Sequence, residues 1–181
     1  MDDFYRFAKR LAKAFACEGL DYAFTGALAV SFYGAPRTTT DIDVMVSVAD
    51  DPEAKHKLVE ALQQAGLEAD ERRIEQALTS GYNIATFKDK GSPYTVDVIL
   101  SNKKLEKQAE TIAGIRTFLQ KPEGLILAKL KMIKATLPRE RAVKDEEDVK
   151  AILTFTKVDI EAVKKKAKQD KTFEIFQSLI E

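Results

Sequence analysis

The chain has 181 residues, 45% of them apolar, with 29 basic and 29 acidic side chains and no formal net charge at neutral pH. That length suits one domain, or a core with a small appendage, and the charge balance gives no global pull toward nucleic acid or an anionic membrane. A single cysteine, Cys17, excludes an internal disulfide framework and a cysteine-rich zinc site, and no apolar run is long enough to span a bilayer. Asp2 and Asp3 stand where a secretion signal would need an apolar stretch, so a soluble cytoplasmic protein with no membrane partner is expected.

Residues 2 to 18 predict a helix, because Phe4, Phe7, Ala8, Leu11, Ala14 and Phe15 recur at steps of three and four and Gly19 is a natural stop. Asp21 to Phe24 reads as a short first strand. Gly26 opens a helix to about Tyr33, and Gly34-Ala-Pro36 breaks it. A loop carrying Arg37 leads into an apolar strand from Asp41 to Val48. Residues 51 to 65 predict another amphipathic helix, with His56, the sole histidine, on its polar side. Residues 67 to 81 are ambiguous, with a short helix expected around Ile74 to Leu78. Tyr82 to Phe87 and Thr95 to Leu100 read as two strands of an antiparallel hairpin. Ser101 is expected to cap a helix to about Glu110, with Lys103, Lys104 and Lys107 on its solvated face, before a last strand from Ile112 to Leu119. After Pro122, a natural first helical residue, the pattern becomes wholly helical. Helices are expected over 122–137, 142–155, 159–168 and 171–180. The fold class is therefore α+β: a small mixed sheet flanked by helices over residues 1–120, and a helical C-terminal region over 121–181.

Strand periodicity singles out three carboxylates. Side chains alternate between faces, so Ile42, Val44, Val46 and Val48 share one face and Asp41 and Asp43 share the other. Two neighbouring carboxylates repel unless a cation lies between them. A solvated strand end is the bland alternative, but aspartate is disfavoured in strands and here occurs twice at the same parity. In the later strand Val96, Val98 and Leu100 face the core, which leaves Asp97 on the opposite face. If the strands pair, three hard oxygen ligands converge, a set that suits Mg²⁺. Gly26 at a strand-to-helix turn lets backbone approach an anion. Arg37 either braces a carboxylate or contacts a triphosphate. In the helical region Lys129 falls inside the apolar arc of Leu125, Ile126, Leu130, Met132, Ile133 and Leu137. Asp145 falls on the stripe of Ala142, Val149, Ile152 and Leu153, and Asp148 lies at its margin. A Lys129–Asp145 pair would resolve both anomalies, since a buried unpaired charge is costly. A lysine snorkelling at the edge of the arc is the alternative.

Gly26-Ala27, the Asp41-Ile-Asp43 run and the later Val-Asp97-Val resemble the signature of the nucleotidyltransferase superfamily with the DNA polymerase β-like palm. Over about residues 20 to 155 the chain more closely resembles the AbiEii-type minimal nucleotidyltransferases. The residues that carry this are Gly26-Ala-Leu-Ala29, Arg37-Thr-Thr-Thr-Asp41-Ile-Asp43, Pro122-Glu-Gly-Leu-Ile-Leu-Ala-Lys129-Leu and Lys144-Asp145-Glu-Glu-Asp148-Val. The resemblance implies Mg²⁺ held by Asp41, Asp43 and Asp97, and an NTP substrate near Gly26, Ala27, Arg37 and Thr40. It also implies catalytic roles for the three aspartates, Lys129 and Asp145. Ala27 departs from the pattern, for many members carry Ser or a second Gly there, so a hydroxyl contact to phosphate is missing. The acceptor stays open between a tRNA end, a protein hydroxyl and a small molecule, and an antitoxin partner is a further implication. A lapsed relative kept as a binding or antitoxin-like module is the alternative that Ala27 favours and the retained carboxylates oppose. A sugar-nucleotide glycosyltransferase would need a longer chain. A haloacid-dehalogenase-like phosphatase would place its aspartates at the end of an apolar strand, whereas here the apolar run follows them.

Overall fold

The computed structural model describes residues 3–34, 36–49, 53–138 and 142–181. Residue 2 of the first predicted helix, residues 51 and 52 of the third, and Ala35 in the predicted helix break lie outside the described residues. The chain divides into two compact units, residues 1–27 with 38–120 and residues 28–37 with 121–181.

The first unit carries α1 (Asp3–Cys17), β1 (Tyr22–Phe24), the start of α2 (Gly26–Tyr33), β2 (Asp41–Ser47), α3 (Ala54–Gln64), α4 (Glu71–Thr79), β3 (Ile84–Lys88), β4 (Thr95–Ser101), β5 (Lys107–Ile112) and β6 (Ile115–Gln120). Its six strands form one mixed sheet in the order β3-β4-β2-β1-β6-β5. β2 runs parallel to β4 and β1 parallel to β6, while the other neighbours are antiparallel. The period-two pattern sets the sheet's buried side. Ile42, Val44, Val46, Val96, Val98 and Phe87 are fully buried, and they form the core together with Phe7, Leu11 and Phe15 of α1 and Leu58 and Leu62 of α3. The residues between them on β2 and β4 are only half-buried and include all three aspartates.

Among the described residues, the second unit contains the rest of α2 and four helices, α5 (Pro122–Ala135), α6 (Val143–Phe155), α7 (Ile160–Gln169) and α8 (Phe173–Ile180). Leu125, Ile126, Leu130 and Ile133 are buried with Val149, Ile152, Val163, Ala167 and Phe176. Two of these helices start for a local reason. Pro122 sits in the first turn of α5, and the Asp159 side chain caps α7 by accepting from the Ala162 N–H. Met132 and Leu137, expected in the apolar arc, are exposed, the latter beyond the end of α5.

The predicted helix from Ser101 to Glu110 does not form. The chain instead enters β5 at Lys107, and Ile112 belongs to that strand rather than to β6. Residues Lys103, Lys104 and Lys107 therefore share no helical face. Lys107 pairs with Asp21 at 2.5 Å and lies 4.1 Å above the Phe118 ring, while Asp21 also accepts the Leu105 N–H. These contacts draw the segment onto the sheet, and pairing with β6 overrides its helix-forming composition. The ambiguous stretch resolves as α4, capped by Asp70, whose side chain accepts the Arg73 N–H.

Candidate active site

One polar row crosses the sheet on the face opposite its apolar core. Asp97 on β4 pairs in register with Asp43 on β2 and, on its other side, with Thr86 on β3. Next to Asp43 comes Thr25, whose N–H donates to the Asp43 carbonyl at 2.9 Å. The Thr25 hydroxyl in turn donates to Gln120 Oε1 at 2.5 Å. Asp41 lies two residues before Asp43 on the same face. One carboxylate oxygen from each of Asp41, Asp43 and Asp97 lies within 4.8 Å of the other two. The parallel pairing of β2 with β4 is what brings them together, as two carboxylates in register and a third one step away.

Two threonines touch this cluster. The Thr86 hydroxyl donates to Asp97 Oδ1 at 2.5 Å, and the Thr39 hydroxyl donates to Asp41 Oδ1 at 2.6 Å. Gly26 lies against Asp43, with a φ of +56°, and a Cβ there would overlap Asp43 Oδ2. Ala27 occupies the first turn of α2, and the Thr40 carbonyl accepts the Thr95 N–H at 3.2 Å, aligning the entries of β2 and β4.

A second polar cluster belongs to the helical unit. The Lys129 amine lies 2.7 Å from Asp145 Oδ1 and 2.8 Å from Asp148 Oδ2. The guanidinium of Arg37 grips both oxygens of Asp148. Lys129 and Asp148 are nearly inaccessible, at 8% and 5% relative exposure, so this is a buried network. Burial alone would depress the Lys129 amine, but the bonds from Asp145 and Asp148 outweigh it and hold the pKa above its usual value. The amine is therefore a fixed cation at neutral pH.

The structure joins Lys129 to Asp145, as the sequence indicated, and corrects one detail. Asp148, expected at the margin of the stripe, is buried more deeply than Asp145 and bridges two cations. Of the two roles considered for Arg37, its guanidinium braces a carboxylate, that of Asp148. Thr25, Thr39, Thr86 and Gln120 carried no role in the sequence reading. Thr86 could have been found only from the register of β3 on β4, which the irregular loop between them conceals.

The family described as nucleotidyl transferase AbiEii toxin, type IV toxin–antitoxin system, matches residues 9–174. No curated protein matches the chain. Among solved structures, the antibiotic-resistance factor ANT(2″)-Ia in solution is similar over 98% of this chain and 94% of its own, at 14% identity and a TM-score of 0.65. A crystal structure of ANT(2″)-Ia in complex with adenylyl-2″-tobramycin is similar over 99% of this chain and 100% of its own, at 14% identity and a TM-score of 0.64. An antigenic nucleotidyltransferase-like protein from Paracoccidioides brasiliensis is similar over 80% of this chain and 72% of its own, at 15% identity and a TM-score of 0.54. At such identities the likeness concerns the fold, which is that of nucleotidyltransferases. By the extent of the family match, and with the aspartate triad on the sheet that this fold provides, the chain belongs to the AbiEii nucleotidyltransferase toxin family.

Proposed function

We propose that the chain transfers a nucleoside monophosphate from a nucleoside triphosphate to a hydroxyl-bearing acceptor, with Mg²⁺ held by Asp41, Asp43 and Asp97. The observation that carries this reading is the convergence of three carboxylate oxygens within 4.8 Å on adjacent parallel strands. Three hard anionic oxygens on a rigid sheet fit Mg²⁺, which takes its remaining ligands from water and phosphate. When bound, the ion supplies neutralisation of the triphosphate and acidification of the acceptor hydroxyl.

The chain's own residues prepare that chemistry. β2 and β4 fix the three carboxylates, whose mutual repulsion makes the site selective for a cation and hostile to a bare triphosphate. The first turn of α2, at Gly26 and Ala27, presents backbone N–H groups suited to a phosphate. Ala27 has no hydroxyl, so such a contact runs through the backbone. The exposed Thr40 side chain, next to Asp41, is the hydroxyl we assign to the nucleotide. Lys129 and Asp145 are kept in this reading as catalytic residues because of their place in the family's motifs, with Asp145 orienting the Lys129 amine within the helical unit. Arg37 is engaged with Asp148, so we assign it to bracing that cluster rather than to the triphosphate. Membership of a type IV toxin family supports an antitoxin as the cellular counterpart of this activity.

The test is to incubate the chain with each α-labelled NTP, Mg²⁺ and cell extract, then fractionate RNA, protein and small molecules. Label is expected in one fraction, abolished by EDTA and reduced about a hundredfold or more in Asp43→Asn. No labelled product with any NTP, or equal labelling by the mutant, would overturn the reading.

A further inference from the structure

We infer that two threonine hydroxyls, Thr86 on β3 and Thr39 in the loop before β2, are positioning residues for the metal-binding carboxylates. The inference rests on the metal-site reading above. An aspartate side chain on a strand has several χ1 wells and a soft χ2. Three such groups crowded on one face repel, and the arrangement of least repulsion turns them apart. Something must hold them converged before a cation arrives.

The two hydroxyls meet that need from opposite sides. An ionised carboxylate only accepts, so each threonine donates its single proton to Oδ1 of its aspartate. Thr86 does so across the sheet. It is the direct ladder partner of Asp97, and its β-branched side chain is stiff at χ1. Its carbonyl accepts from Arg73 Nη1 at 3.3 Å, which ties this edge strand to α4. Thr39 does so locally, from two residues before Asp41, and its oxygen also accepts the Asp41 N–H at 3.4 Å. Asp97 is thus held from β3 and Asp41 from its own loop, while Asp43 occupies the space that Gly26 leaves by lacking a Cβ. Outer partners that orient ligating carboxylates typically contribute about 10- to 100-fold in metal affinity. Thr86 is exposed, so its hydroxyl does not sustain the core.

The test is a Mn²⁺ titration of the full chain, followed by the electron paramagnetic resonance of free Mn²⁺, with melting curves recorded in EDTA. Thr86→Val keeps the shape of the side chain and removes the proton. It is expected to weaken Mn²⁺ about tenfold or more, with a melting temperature in EDTA within about 3 °C of the wild type. Thr86→Ser is expected to restore affinity to within about threefold, because it returns the hydroxyl. Thr39→Val gives an independent measurement at Asp41, which stands if the β3 variant does not fold. Unchanged affinity in both valine variants, with binding lost in Asp97→Asn, would overturn the positioning role and leave the metal site intact. A serine variant as weak as the valine variant would also overturn it. If the wild type itself binds no Mn²⁺, the metal-site reading fails and this inference with it.

Discussion

Gly26 adopts a left-handed φ of +56° beside the Asp43 carboxylate, and no other residue type meets both demands. An L-residue there costs about 1–2 kcal/mol in backbone strain alone, and a Cβ would also displace Asp43. Gly26→Ala is therefore expected to lower the melting temperature and to weaken Mn²⁺ binding together. A variant that loses stability but keeps its metal affinity would show that Asp43 recovers its place by another rotamer. The sequence suggested a glycine for phosphate approach, and the structure adds that the glycine makes room for a carboxylate. The three aspartates were legible because strand parity is a strict period of two, so residues 41, 43 and 97 declare their face from their apolar neighbours. Asp148 was less legible, because a residue at the edge of a helical stripe turns inward or outward according to a partner. That partner, Arg37, lies 111 residues away in the chain. Thr86 was illegible for a similar reason, since only the ladder register reveals what a strand residue faces.

At the scale of elements, the helices and most strands follow from their apolar periods, and the one substantial error lies between Ser101 and Glu110. Lysine, leucine, glutamate, glutamine and alanine favour a helix locally, yet this segment completes a hairpin at the sheet's edge. Its turn passes through Ala113 and Gly114, both with positive φ. Alanine rarely accepts that conformation, so the residue that would have announced the turn is absent at its first position. In the helical unit, α5 and α6 are joined by charge as well as by apolar packing. Asp148 of α6 holds Lys129 of α5 and Arg37, which follows α2, whereas among the described residues Asp145 holds Lys129 alone. Asp148→Asn leaves two cations short of a carboxylate in a nearly inaccessible site, a loss of about 3 kcal/mol or more. Asp145→Asn leaves Lys129 still paired with Asp148, and about 1–2 kcal/mol is expected. Denaturant unfolding of both variants measures the difference. Equal losses would mean that the shared carboxylate is not the centre of the network.

At the scale of the whole molecule, equal numbers of acids and bases make net charge a weak determinant of stability near neutrality. The response to acid must then come from particular carboxylates, and Asp89 is the clearest. Its side chain is 1% exposed, accepts Arg10 Nη2 at 2.8 Å and the Ser92 hydroxyl at 2.5 Å, and thereby ties α1 to the loop between β3 and β4. Burial would raise its pKa, but the bonds from Arg10 and Ser92 outweigh that and hold it below the usual carboxylate value. A group whose folded pKa lies below its unfolded one stabilises the fold fully above the unfolded pKa. That contribution fades as pH falls through about 4 toward the folded value. Lys129 has the opposite sign, since its raised pKa keeps its contribution intact in acid and loses it only in strong alkali. Acid unfolding is therefore expected to be sensitive to Asp89, while the Lys129 amine itself keeps its charge across the acid range. Asp89→Asn should cost about 1–3 kcal/mol at neutral pH, because the Arg10 and Ser92 bonds lose their charged acceptor. Between pH 5 and pH 3, as ordinary carboxylates begin to protonate, the mutant should lose less further stability than the wild type, so that the two curves converge. Unfolding free energies at pH 7, 5 and 3 for both chains decide the matter. Parallel losses between pH 5 and 3 would place the acid-sensitive group elsewhere in the molecule.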